Sequence, residues 1–228
     1  MTPWGASTHV RAFIRASELA AEGTEFLVDE VRPGASLLVY GQPSLLEAAL
    51  YRLTARWASM GDRTLAVTFV DYHEARLIDT YALAEYMLAE GLDPAAGLKM
   101  VYLATVYNRR QAVELDYERL LQRTGAGLVV LYRLSRLFRQ AAHPLLLKAL
   151  SRAKAVMARG VPLVLMVDES ARRGWPDAPA YVLHFSSSVV WLRGRRGPYV
   201  EARLVKSAAR PEAAKTFTGR LSNVEGWF

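Results

Sequence analysis

Residues 128–167 read LVVLYRLSRLFRQAAHPLLLKALSRAKAVMARGVPLVLMV, and the class of fold can be inferred from this segment. It begins and ends with short apolar segments, 128–132 and 162–167, which are typical of parallel strands covered on both faces. Between them, residues 145–159 have apolar side chains at helical spacing, and Gly160 follows as a residue that suits a helix end. The stretch therefore predicts a strand, a crossover helix and a second, parallel strand.

The same alternation continues on the N-terminal side of this stretch. Further buried strands are predicted at 36–40 (SLLVY), 65–70 (LAVTFV) and 100–104 (MVYLA). Helices are predicted at 45–58, 74–90 and 109–123. Strands that alternate with helices in this way favour an α/β fold with a mostly parallel, doubly wound sheet.

The pattern changes after residue 167. Residues 168–180 form a predicted loop rich in proline, glycine and charge. Three shorter alternating segments follow, at 187–193, 199–206 and 215–221. Gly194-Arg195-Arg196-Gly197 is a hairpin-type turn between the first two. We therefore expect a C-terminal antiparallel β-meander that extends one edge of the sheet.

Composition excludes several classes of protein. The chain has 228 residues, 52% of them apolar, which suits one large domain, or one domain with a short appendage. It has no cysteine, and its four histidines are scattered, so disulfide scaffolds, cysteine nucleophiles and zinc sites are not expected. No apolar run approaches the roughly 18 residues that span a bilayer. Without a signal-peptide pattern either, we expect a cytoplasmic protein. Two asparagines and four glutamines fit a heat-adapted protein.

Charge is distributed unevenly along the chain. Residues 1–132 hold 12 basic and 16 acidic side chains, whereas residues 133–220 hold 17 basic and 5 acidic ones. A basic C-terminal half favours an acidic partner, with nucleic acid as the first candidate. The alternative is a basic surface that only keeps the protein soluble.

Several segments, taken in order, resemble the ATPase core of RecA/RadA-type recombinases, in particular archaeal RadA and its short RadB-like paralogues. Residues 23–29 (GTEFLVD) resemble the segment before the first core strand, and residues 91–108 (GLDPAAGLKMVYLATVYN) resemble the "GLDP…YVARAFN" stretch. The resemblance implies a RecA-like ATPase-core fold at 23–228. It leaves 1–22 as an N-terminal arm and no separate N-terminal DNA-binding domain.

The catalytic motifs of that family are degenerate in this chain. Alignment of the Walker A motif at Gly41 places Glu47 and Ala48 where the family has its phosphate-binding lysine and magnesium-binding hydroxyl. Tyr132 stands at the Walker B aspartate. Ser44 and Glu47 also match a capping box that would close the helix N-terminus to anions. We therefore expect no ATPase activity, catalytic residue, cofactor or metal.

Near the family's catalytic glutamate, the register places His73, or Glu74 with a slip of one residue. Asp71 and Glu74 are acid–base candidates, but an N-cap and a first-turn residue are the more common roles of such carboxylates.

The N-terminal arm resembles the F-x-x-A polymerisation motif of the family, with Phe13 and Ala16 as its two anchors. In the family this segment adds a strand to the neighbouring protomer's sheet. The resemblance implies a contact with an active RadA-type recombinase, or with a second copy of this chain. The alternative is an amphipathic helix packed on its own core.

Three basic segments are candidates for DNA contact. The first two follow the family's DNA-binding loops, both shortened here, and the third is the hairpin turn. Arginines beside an aromatic ring suit phosphate contact and base stacking, most simply with single-stranded DNA. The alternative is that they are solvated loop charges. The candidates are Arg139, Arg172, Arg173, Trp175, Arg195 and Arg196.

Together these features predict a non-catalytic RecA/RadA-like paralogue that acts as an accessory factor in homologous recombination and DNA repair. It would bind DNA, the active recombinase or both, without hydrolysing ATP. A membrane is not expected among its partners. The alternative is a degenerate KaiC-like RecA-fold regulator or scaffold that has a protein partner and no DNA role.

Overall fold

The computed structural model describes residues 26–70, 78–138, 142–172, 174–195 and 199–218. These residues form an eight-stranded sheet. Its strands are β1 (Ser36–Gly41), β2 (Thr64–Phe69), β3 (Val101–Val106), β4 (Leu128–Tyr132), β5 (Leu163–Asp168), β6 (Ser188–Gly194), β7 (Tyr199–Lys206) and β8 (Ala213–Thr218). Each of the five strands predicted before residue 168 is present, with ends that move by one or two residues.

The strands lie in the order β3-β2-β4-β5-β1-β6-β7-β8. Strands β1 to β6 are parallel to their neighbours among themselves, while β7 pairs antiparallel with both β6 and β8. The prediction of a mostly parallel α/β sheet with an antiparallel extension at one edge is confirmed. The extension joins the rest through β6, which lies parallel to β1.

Helices cover the sheet. They are α1 (Pro43–Ser59), α2 (Thr80–Ala89), α3 (Pro94–Leu98), α4 (Arg109–Glu114), α5 (Tyr117–Thr124), α6 (His143–Ala158) and α7 (Ala180–Phe185), with a 3-10 turn at Leu134–Phe138. None of the helices in these described ranges combines the length and apolar character needed to cross a bilayer.

Two helix predictions were wrong in detail. Of the helix predicted at 74–90, residues 74–77 lie outside the described residues, and α2 begins at Thr80. The Asp79 carboxylate caps it by accepting hydrogen bonds from the backbone N–H groups of Tyr81 and Ala82. The helix predicted at 109–123 is two helices. Asp116 caps α5 by accepting from the N–H of Arg119 at 3.0 Å, and the chain turns between α4 and α5.

The core lies in two layers, one on each face of the sheet. Leu37 and Val39 of β1 are buried on the face that packs against α1 and α2. Leu38 and Tyr40 point to the opposite face, which α6 covers. This alternation along a strand with all six residues buried is what a parallel central strand requires.

The residues before β1 are held to the β7–β8 connection. Glu30 is buried, accepts a hydrogen bond from the Ser207 hydroxyl at 3.0 Å, and forms an ion pair with Arg210 at 2.5 Å. The Arg210 guanidinium also lies 5.2 Å from the centre of the Phe26 ring. The first described residues, Phe26–Glu30, therefore lie next to the antiparallel edge of the sheet.

Candidate functional site

The carboxyl ends of parallel strands meet at one edge of a sheet, which is where ligands bind in open α/β folds. Here a cavity of about 520 Å³ lies at that edge, above the ends of β1, β2 and β4. It is lined by Gln42, Pro43, Ser44, Glu47, Tyr51, Thr68, Phe69, Val70, Ile78, Tyr132 and Arg133. Glu47 and Tyr132, two of the positions that distinguish this chain from the ATPase family, both face it.

The connection from β1 to α1 is very short. β1 ends at Gly41 and α1 begins at Pro43, so Gln42 is the one residue between them. Gly41 is required by packing, because a Cβ there would lie 2.5 Å from the carbonyl oxygen of Leu192 in β6. A strand–helix connection of this length has no loop of backbone N–H groups that could surround a phosphate chain.

The predicted capping box at Ser44 and Glu47 is wrong. Gln42 is the N-cap of α1 and its side chain makes no capping hydrogen bond, while Pro43 starts the helix at its first position. Pro43 has a φ already suited to the helix, so the helix starts two residues too early for Ser44 to cap it. Glu47, the second residue of the predicted capping box, is hydrogen-bonded to Tyr51 instead.

Glu47 is held by Tyr51, one turn further along α1. The Tyr51 hydroxyl donates to Glu47 Oε1 at 2.8 Å and accepts from the backbone N–H of Asp79 at 2.9 Å. Burial raises the pKa of Tyr51 above its ordinary value, so the phenol stays protonated and remains a donor. The Glu47 carboxylate is thus a fixed part of the cavity wall.

The neighbouring degenerate position is turned inward. Ala48 is buried in the hydrophobic core on the face of the sheet that α1 covers. A hydroxyl at position 48 would be a magnesium ligand in the family; the alanine methyl is a packing group. Within the described residues, no group of three histidine, aspartate or glutamate side chains is placed to hold a metal ion.

An arginine pair surrounds the end of β5. Arg133 has a φ of 60°, and its backbone N–H donates to the carbonyl of Met166 at 2.8 Å. Its Nε lies 3.7 Å from Asp168 Oδ1, while Arg136 Nε donates to Asp168 Oδ2 at 2.6 Å. Sequence reasoning missed this cluster because Arg133 and Arg136 were read only as part of a loop. Two arginines after a strand, facing an aspartate at the end of the next strand, are the signal that could have found it.

Arg172 and Trp175, two of the predicted DNA-contact residues, lie together in the loop after β5. The Arg172 guanidinium is 5.5 Å from the Trp175 ring centre, and Trp175 is 51% exposed. The loop is ordered from within, since Gly174 N–H donates to Glu169 Oε1 at 2.7 Å. A half-exposed indole with a guanidinium over it offers both a stacking surface and a positive charge.

Two stacked aromatic rings lie beside that loop. Tyr40 and Trp191, on adjacent strands β1 and β6, stack with ring centres 6.2 Å apart, and the Arg193 guanidinium is 5.3 Å from the Trp191 ring. The Tyr40 hydroxyl donates to the carbonyl of Gly174 at 3.0 Å, which joins this pair to the loop. Burial raises the pKa of Tyr40 to about 12. Sequence reasoning treated both strands as structural and missed it.

We call this surface the arginine–aromatic edge. It consists of Arg172, Trp175, Trp191 and Arg193, and the buried Tyr40 ring stacks against Trp191.

Among the other predicted site residues, Arg195 is the one that the structure describes, and it does not belong to this surface. Arg195 lies in the β6–β7 connection and forms an ion pair with Glu201, whose side chain is 8% exposed, so much of its charge is balanced locally. Arg139, Arg173, Arg196, Phe13 and Ala16 lie outside the described residues, as do Asp71, His73 and Glu74.

In comparisons with known proteins, no family model matches this chain, and a search of curated proteins gives no match.

Proposed function

We propose that this protein is a non-catalytic RecA/RadA-like paralogue, an accessory factor in homologous recombination and DNA repair that binds DNA, the active recombinase or both without hydrolysing ATP. The observation that carries the proposal is the arginine–aromatic edge, which lies at the ligand-binding edge of a sheet whose topology is compatible with a RecA-like core.

The absence of ATP hydrolysis is supported by the cavity wall. Glu47 is a carboxylate where phosphate oxygens would lie, and at close range two like charges repel strongly in a partly dry cavity. The one-residue connection at Gln42 supplies no phosphate loop. Without a lysine, a magnesium-binding hydroxyl or a Walker B aspartate, phosphoryl transfer lacks both its charge clamp and its metal.

DNA binding is supported by the pairing of charge with exposed aromatic surface. A base can stack on Trp175 while Arg172 contacts the adjacent phosphate, and Arg193 adds a second positive charge on the neighbouring strand. This combination favours single strands, whose bases are available for stacking. We further propose that the protein is cytoplasmic.

Contact with a recombinase is proposed through Phe13 and Ala16 of the N-terminal arm. In the RecA/RadA family the matching segment adds a strand to the sheet of the neighbouring protomer, and we propose the same kind of contact here.

The experiment is a fluorescence anisotropy titration of labelled single- and double-stranded oligonucleotides with the full chain, without nucleotide, over a salt series. We expect binding whose log affinity falls with log salt at a slope of about −0.7 per phosphate contact on single strands. No binding at low salt would reject the DNA part of the proposal.

One observation favours a second candidate, a KaiC-like RecA-fold regulator or scaffold with a protein partner and no DNA role. Arg195, Arg133 and Arg136 all face carboxylates, which lowers the positive potential of this edge. A salt-independent complex that contains no DNA would support this candidate over the first.

A further inference from the structure

A second cavity lies at the same edge of the sheet, on the β3 side. It has a volume of about 610 Å³ and is lined by Tyr107, Asn108, Arg109, Arg110, Arg136 and Leu137. We call it the arginine cleft, and we propose that it is a binding site for a phosphate group. None of its residues was among the predicted DNA contacts.

The three arginines come from two separate segments of the chain. Arg109 and Arg110 begin α4 directly after β3, whereas Arg136 lies in the 3-10 turn after β4. Arg109 Nε donates to the carbonyl oxygen of Leu137 at 2.6 Å, and this bond ties the two segments together. The three positive charges are therefore brought together by a contact between distant segments and not by a run of basic residues in the sequence.

The cleft has an excess of positive charge. Its six lining residues include three arginines and no acid. Arg110 and Arg136 have carboxylate partners, Glu114 at 2.9 Å and Asp168 at 2.6 Å. The partner of Arg109 is an uncharged carbonyl, so its charge is not cancelled by that contact.

The hydrogen-bonding geometry of Arg109 and Arg110 indicates which ligand the cleft would bind. Arg109 and Arg110 use Nε for these bonds, which leaves their terminal nitrogens to form the parallel pair of hydrogen bonds that guanidinium makes with phosphate.

The backbone of the cleft is already ordered. Asn108 Oδ1 accepts from the N–H of Gln111 at 2.9 Å, and Gln111 Oε1 accepts from the N–H of Tyr107 at 2.9 Å. These two reciprocal bonds hold the turn from β3 into α4. Because this turn is already ordered, less binding free energy is lost in ordering it when a ligand binds.

A phosphate group can come from a free small molecule or from a nucleic-acid backbone, and the recognition chemistry is the same for both. The inference stands independently of the proposed DNA function, since it depends on Arg109 and Arg110 and not on the arginine–aromatic edge.

The test is calorimetric titration of the full chain with inorganic pyrophosphate and, in a second arm, with a short single-stranded oligonucleotide, both at low ionic strength. The variants are Arg109→Gln and Arg110→Gln. The Arg110 side chain is 85% exposed, so its replacement leaves folding intact. Arg123→Gln, at an exposed position near the opposite edge of the sheet, is the matched control.

We expect saturable binding in at least one arm, weakened about tenfold by Arg109→Gln or Arg110→Gln, the loss expected when one charge-assisted hydrogen bond is removed. Loss in the pyrophosphate arm assigns the site to free phosphate, and loss in the oligonucleotide arm alone assigns it to a backbone. Absence of saturable binding in both arms, unchanged affinity in both variants, or an equal loss in Arg123→Gln would overturn the inference. Trp175→Ala leaves pyrophosphate affinity unchanged, which separates this site from the proposed DNA surface.

Discussion

Arg136 donates a hydrogen bond from Nε to Oδ2 of Asp168 at 2.6 Å, and this contact joins the end of β4 to the end of β5. The same carboxylate lies 3.7 Å from Arg133. The Asp168 carboxylate is therefore held between two arginines, and it balances part of their positive charge.

Asp168→Asn should destabilise the protein. The Asp168 side chain is only 10% exposed, and its replacement removes a negative charge that faces two mostly buried guanidinium groups. We expect a loss of about 3 kcal/mol in the free energy of unfolding, measured by urea denaturation. The control is Glu118→Gln, which removes an exposed ion pair to Arg159 at 3.9 Å and should cost less than about 1 kcal/mol. Equal effects of the two changes would contradict this assignment.

Gly41→Ala tests the packing at the start of the cavity. A Cβ at position 41 would lie 2.5 Å from the Leu192 carbonyl oxygen, and backbone atoms cannot move away cheaply. We expect a destabilisation of about 2 kcal/mol, read as a lower melting temperature. Gly194→Ala is the matched control, because its Cβ would meet nothing closer than Gln42 Oε1 at 3.6 Å. A fully stable Gly41→Ala variant would show that β1 and β6 are further apart than described.

Glu47→Lys should fail to create a nucleotide site. The lysine restores the charge of the family motif, but the single residue between β1 and α1 still provides no loop around a phosphate chain. We expect no rise in melting temperature on addition of MgATP to either form, since a ligand that binds only the folded state must stabilise it. A rise with the unaltered protein would contradict the proposed loss of ATP binding.

Stability should fall between about pH 10 and pH 12. Burial raises the pKa values of Tyr40 and Tyr86 to about 12, whereas tyrosines in the unfolded chain ionise near 10. Above pH 10 the unfolded chain releases protons that the folded chain keeps, so rising pH favours unfolding until the folded pKa is reached. Tyr40→Phe should make that fall shallower, measured by denaturation at several pH values. An unchanged slope would mean that Tyr40 ionises normally in the folded protein.

Much of the fold was predictable because it depends on local signals. Continuous apolar runs such as 128–132 mark buried parallel strands, and Gly160, with a φ of 77°, marks the end of α6 as expected. The errors concern the residues at which helices begin, where a single side chain decides the outcome and hydrophobic spacing does not. Asp79 and Asp116 each cap a helix later than hydrophobic spacing indicates, and Pro43 starts α1 before Ser44 can cap it.

The site was less predictable, because it is assembled from residues far apart in the chain. The predicted neighbours Arg172 and Trp175 do lie together. The contribution of Tyr40 and Trp191 depends on which strands are adjacent, and strand order cannot be read from hydrophobic pattern alone. The arginine cleft depends in the same way on a tertiary bond from Arg109 to Leu137.

We propose above all that the arginine–aromatic edge binds single-stranded DNA. The proposal is tested by repeating the anisotropy titration with the variants Trp175→Ala and Arg193→Gln. Arg123→Gln is the control. We expect Trp175→Ala to lose about 1 kcal/mol or more of binding free energy, since one base loses its stacking surface. Arg193→Gln should weaken binding and make the salt dependence shallower. Binding that is unchanged in both variants, or equally weakened by Arg123→Gln, would contradict the claim.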